Sequence, residues 1–70
     1  MQEILSPMPG NVFEIKVNVG DKVEDADVVI VLEAMKMEIE VVAPCAGTVE
    51  SITVKKGDVV DTNQVLGTIK

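Results

Sequence analysis

Shifted by 37 positions, the 70-residue chain lies on itself without a gap. Glu3 falls on Glu40, Pro7 on Pro44, Gly10 on Gly47, Val12 on Val49, Ile15 on Ile52 and Val17 on Val54. Gly20-Asp21 falls on Gly57-Asp58, Val23 on Val60 and Val28 on Val65. Conservative pairs fill in, such as Ile4 with Val41, Glu24 with Asp61 and Leu32 with Ile69. Ten identities in the 31 pairs from Glu3 to Glu33 are too many for chance at one ungapped register. The chain is two copies of one unit, so any conformation assigned to one half binds the other as well.

Each unit reads as four strands. In the first, residues 3–6 form a strand and Pro7-Met8-Pro9-Gly10 a turn. Residues 11–18 form a strand in which Val12, Ile15, Val17 and Val19 alternate after one irregular step at Phe13-Glu14, the mark of a bulge. Gly20-Asp21 is a turn, Val23 a very short strand, Glu24-Asp25-Ala26-Asp27 a polar loop, and residues 28–33 the last strand. The second unit repeats this with strands 39–43, 48–55, 59–61 and 65–69 and turns at Pro44-Cys45-Ala46-Gly47 and Gly57-Asp58. Val and Ile supply 20 of the 70 residues, which favours strands. Two such units, each too small alone, predict an all-β fold. Two facing sheets related by an approximate two-fold axis would make a flattened β-barrel or sandwich, one domain over residues 1–70.

A chain this short has a small core, and the usual reinforcements are missing. The single cysteine permits no internal disulfide, and without histidine a nitrogen–sulfur metal site is excluded. One Phe offers no stacking platform for single strands, and a net charge of −6 argues against nucleic acid and anionic membrane. No apolar run has the length of a membrane span, so no membrane insertion is expected. The N-terminus opens with polar Gln2 and Glu3 rather than a secretory leader, and the cytoplasm is the default location.

The one stretch outside this pattern is Glu33-Ala34-Met35-Lys36-Met37-Glu38, between strand-like runs at 28–32 and 39–42. Its residues favour helix, but it is too short for one. Residues 40–43 must match the strand at 3–6, so the stretch is the turn of a hairpin. It is a turn without the Gly, Asn or Asp that tight turns want. Local rules fail most often where function intervenes. The two-fold image of Lys36 is the gap between residue 70 and residue 1, so the lysine and the chain ends are expected at opposite ends of the domain. A Schiff-base or general-base lysine needs burial or a cationic neighbour, whereas Lys36 is expected at an exposed tip beside Glu33 and Glu38. The same carboxylates disfavour anion binding. Covalent attachment remains, because it needs only an accessible amine that a modifying enzyme can reach.

Ala34-Met35-Lys36-Met37 between strands resembles the attachment motif of biotinyl domains, the biotin carboxyl carriers of carboxylases, decarboxylases and transcarboxylases. Pro7-Met8-Pro9-Gly10, Val19-Gly20-Asp21-Lys22-Val23, Glu33 to Glu38 and Ala43-Pro44 with Gly47 match the same pattern, so the likeness covers nearly the whole chain. The resemblance implies a barrel-sandwich of two four-stranded antiparallel sheets. It implies covalent biotin on Lys36, joined by a biotin protein ligase that recognises Glu33, Ala34, Met35, Met37 and Glu38. The ureido ring of the attached biotin would then carry an activated carboxyl group between biotin carboxylase and carboxyltransferase partners, with no chemistry done by the domain itself. The gapless repeat leaves no room for the protruding thumb of some bacterial acetyl-CoA carboxylase carriers.

Two other readings stay open. Lipoyl domains share the fold but typically flank their lysine with Asp and Ala; an unmodified adaptor of the same fold is the third. Met35 and Met37 could be adaptable core filler or part of a recognition surface. Glu40 could serve only to keep an edge strand soluble, and Cys45 reads as a small apolar residue near a turn.

Overall fold

In a computed structural model describing residues 2–70, the chain is all-β; residue 1 of the expected domain lies outside the described residues. The strands are β1 (Gln2–Leu5), β2 (Gly10–Ile15), β3 (Lys22–Val23), β4 (Val28–Ala34), β5 (Met37–Val42), β6 (Gly47–Ile52), β7 (Val59–Val60) and β8 (Val65–Ile69). They build two four-stranded antiparallel sheets, ordered β1-β8-β6-β3 and β5-β4-β2-β7. Replacing each strand by its repeat partner turns one order into the other. Each sheet therefore draws two strands from each half, and neither half can complete a sheet alone.

The repeat extends to the irregularities. Phe13 is the extra residue between the pairs Val12–Leu32 and Glu14–Val31, where the sequence broke its alternation. Its image Glu50 is the extra residue between Val49–Ile69 and Ser51–Thr68. Val29 and Leu66, again 37 apart, are skipped in β4–β5 and β1–β8 pairing. Such bulges sharpen strand twist and let a small sheet coil. The core is likewise made of image pairs: Ile4 with Val41, Val12 with Val49, Val23 with Val60, Val29 with Leu66, and Leu32 with Ile69. Small β-branched and Leu side chains fill the space between two sheets with no room needed for an aromatic ring.

Two strands are shorter than the sequence suggests. Residues 11–18 and 48–55 read as continuous strands, but β2 ends at Ile15 and β6 at Ile52. The reason is a change of sheet. The Lys16 amide still donates to the Val29 carbonyl at 2.8 Å, but the Gly20 amide donates to Val49 in the facing sheet, also at 2.8 Å. In the second half, Thr53 donates to Leu66 and Gly57 crosses to Val12. Alternating side chains continue through the crossing, so its pattern imitates a strand, but one ladder cannot hold a segment that leaves its sheet.

That crossing also sets the long axis. Gly10 packs against Glu33 at the β4–β5 hairpin; ten residues on, Gly20 bonds Val49, which pairs with Ile69 at the chain's end. Ten extended residues reach about 33 Å, in keeping with the 31 Å long dimension of the molecule. The hairpin and the paired ends, Gln2 opposite Ile69, thus lie at opposite ends of the domain, as the repeat symmetry requires.

Candidate functional site

Ala34 pairs with Met37, leaving Met35 and Lys36 as a two-residue connection. Both have positive φ, 52° and 64°, as the right-handed twist of the flanking strands demands of so short a turn. Neither is Gly, Asn or Asp. Each side chain in this region costs about 1–2 kcal/mol, a cost that the tightly paired strands below must offset. The tip violates a second rule. Glu33 and Glu38 sit directly opposite one another across β4 and β5, and like charges in that position repel.

The structure brings the six residues singled out in the sequence together on this one hairpin, but not in one environment. Lys36, Glu33 and Glu38 are exposed. Met35 and Met37 are 85% and 56% exposed, so neither is core filler. Ala34 alone is buried. The ion pair among the described residues joins Glu14 to Lys16 at 3.2 Å, and Lys36 takes part in none. The result is a free primary amine on a conformationally fixed tip, between two solvent-facing thioethers. An amine so placed is poorly suited to acid–base work but open to an enzyme that approaches from outside.

Two supports of the tip come from outside the hairpin: Gly10, named in the sequence as a turn residue, and Ser6, which the sequence did not single out. A Cβ on Gly10 would stand 2.8 Å from the Glu33 carbonyl oxygen and 3.4 Å from the Ala34 Cβ, so Gly10 and Ala34 together allow β2 to close under the tip. Ser6, fully buried, donates its hydroxyl to the Met8 carbonyl at 2.7 Å and so orders the turn that delivers Gly10. The signal for Ser6 was in the repeat: its image is Ala43, which has no hydroxyl. The half that carries the lysine end has a polar brace that the other half lacks.

The profile of a family described as "Biotin-requiring enzyme" matches residues 2–69. The chain belongs to this biotin–lipoyl family. As a biotin–lipoyl domain it is 48% identical over 64 residues to the biotin carboxyl carrier protein of Streptococcus mutans, covering 91% of this chain and 49% of that protein. It is 35% identical to the biotinylated protein TB7.3 homolog of Mycobacterium leprae, covering 97% of this chain and 96% of that one. In three dimensions it matches the urea carboxylase of Kluyveromyces lactis with a TM-score of 0.93 at 36% identity, over 99% of this chain and 6% of that one. The domain thus spans about half the length of the Streptococcus carrier and a small part of the carboxylase. Among the described residues no helix of this biotin–lipoyl domain is long and apolar enough to cross a membrane.

Proposed function

We propose that this chain is a biotin carboxyl carrier, a single biotinyl domain over residues 1–70 with biotin joined to Lys36. The observation that carries the reading is the tip itself. A free amine at the outermost point of a hairpin, held by two residues in a costly conformation, is what a family of biotin-requiring enzymes needs and what folding alone does not. The residues fit the group. Lys36 Nζ supplies the amide nitrogen and gives up its charge, a biotin protein ligase supplying the carboxyl in activated form. Met35 and Met37 lay an apolar surface beside the neutral arm so produced. Glu33 and Glu38 mark the tip for the ligase, and Ala34 seats it against Gly10. Biotin, when attached, supplies a ureido nitrogen that takes up and releases a carboxyl group.

The domain's own contribution is transport. Tethering replaces diffusion of a free cofactor with a high effective concentration at two active sites. Biotin carboxylase and carboxyltransferase activities are the partners in this reading, with loading and use in the cytoplasm, where Cys45 stays a thiol. Co-expression with a biotin protein ligase should add the mass of one biotinyl group to the intact chain, and Lys36→Ala should abolish the addition. An unchanged mass for the wild-type domain, or a lipoyl adduct in its place, would overturn the proposal.

A further inference from the structure

The pseudo-two-fold axis gives this protein an internal control: a residue that differs from its image is not dictated by the fold, because both sequences satisfy it. On the outer face of the β5-β4-β2-β7 sheet, Glu38, Glu33, Asn11 and Val59 stand in one row, all exposed. Glu40 and Glu14 flank Val31 in the next row, with the bulged Phe13 beside them. Phe13, the chain's single aromatic residue, is 43% exposed and Val59 is 75% exposed. Their images on the facing sheet are Glu50 and Lys22. The image of Glu33 is Lys70, that of Glu14 is Ser51, and that of Val31 is Thr68, which bonds Ser51 at 2.8 Å. One outer face is therefore mixed in charge, with Leu5 on β1 as its exposed large apolar side chain. The other, continuous with the lysine hairpin, sets Phe13 and Val59 among Glu33, Glu38, Glu14, which pairs with Lys16, and Glu40, which Glu3 matches on the facing sheet. Exposed apolar groups within a charged rim are the usual anatomy of a protein docking surface.

Charge complementarity names the occupant. Bicarbonate and the carboxyl groups handled in this chemistry are anions, and a cationic mouth would steer them into the active site that receives them. An acidic carrier face is attracted to such a mouth and is steered with the tip leading. Attachment at Lys36 removes a positive charge from the tip and sharpens the contrast. We infer that the outer face of the β5-β4-β2-β7 sheet, centred on Phe13 and Val59, is the docking surface for the carboxylating enzyme that acts on the loaded arm; the inference rests on the carrier reading above.

The test grafts the image residues. The biotinylated 70-residue chain and its F13E/V59K and V59K variants are offered in trans to the biotin carboxylase of the same source, with ATP and bicarbonate. The ligase's loading rate and the thermal midpoint are followed in parallel. The mirror variant K22V/E50F controls for surface change as such. F13E/V59K should lower kcat/KM for carboxylation about tenfold, the size of one lost interface anchor. V59K should give a smaller loss in the same direction. Loading should stay within about twofold of wild type, given that neither residue belongs to the tip, and K22V/E50F should change nothing. Raising salt should weaken the wild-type reaction and leave F13E/V59K, already short of its anchor, with a similar relative loss, because its rim carboxylates remain. Unchanged carboxylation by V59K, loss of loading instead of carboxylation, or a salt-insensitive wild type overturns the inference. So does a wild-type chain that sediments as a dimer broken by V59K, because the face would then bind a second copy. A wild-type chain that is never biotinylated defeats the carrier reading itself.

Discussion

Met35 and Lys36 show how a residue choice can be wrong for folding and right for a task. Two consecutive positive-φ positions would normally hold Asn-Gly, and here they hold a thioether and an amine. Met35→Asn should relieve part of that strain, because Asn tolerates the left-handed region. A gain of about 0.5–1 kcal/mol is expected, read as a higher urea midpoint with an unchanged slope. A loss of stability would mean that the Met35 side chain, 85% exposed, makes a contact that matters more than its backbone cost. The same substitution should slow ligation if the ligase reads Met35, so stability and loading are expected to move in opposite directions. Ala26 and Asn63, images of each other with φ 70° and 63°, supply the comparison. There the second copy already uses Asn, while the first keeps Ala.

The Gly-Asp turns show an element fully legible in the sequence. Gly20 and Gly57 take φ of 96° and 95°, which few other residues could adopt without cost. The Asp that follows each closes the turn, Asp21 accepting from the Asn18 amide and Asp58 from the Lys55 amide, both at 2.9 Å. Asp21→Ala and Asp58→Ala should each cost about 1 kcal/mol, and the double variant should lose the sum, because the turns sit in separate halves. A much larger loss in the double variant, measured by chemical unfolding, would show that the turns act together. The hairpin was legible by another route. Its residues argued for helix, and only the repeat, by tying residues 40–43 to residues 3–6, forced a turn. The crossings after β2 and β6 were not legible, because alternation records which side a residue faces and not which sheet its backbone joins. Nor was the exposure of Met35 and Met37. A methionine at the end of a hairpin has the same sequence signature whether it folds under the sheet or overhangs it.

For the molecule as a whole, the two-fold repeat allows a structural role to be separated from a functional one within a single chain. Gly10 and Gly47 are images, and each lets a strand pass close to a carbonyl of its neighbour: Gly10 to Glu33, Gly47 to Lys70. A Cβ at Gly10 would stand 2.8 Å from that oxygen, and one at Gly47 would stand 2.6 Å from its own and 2.7 Å from the Ile69 Cγ2. All three distances are shorter than packed atoms tolerate, so Gly10→Ala and Gly47→Ala should each destabilise the fold by about 1–3 kcal/mol. The Gly47 variant should be at least as costly, with two close contacts to relieve. Their consequences for loading should diverge. Relief at Gly10 pushes on Glu33 and hence on the paired strands that hold Met35 and Lys36 in place; relief at Gly47 pushes on the chain ends, some 30 Å away by the molecule's length. With both variants assayed under conditions where they are folded, Gly10→Ala should slow biotinylation severalfold while Gly47→Ala leaves it near the wild-type rate. Equal rates would mean that the ligase reads the lysine and its methionines regardless of the turn that presents them. The strained tip would then be a by-product of the hairpin rather than the purpose of the scaffold beneath it.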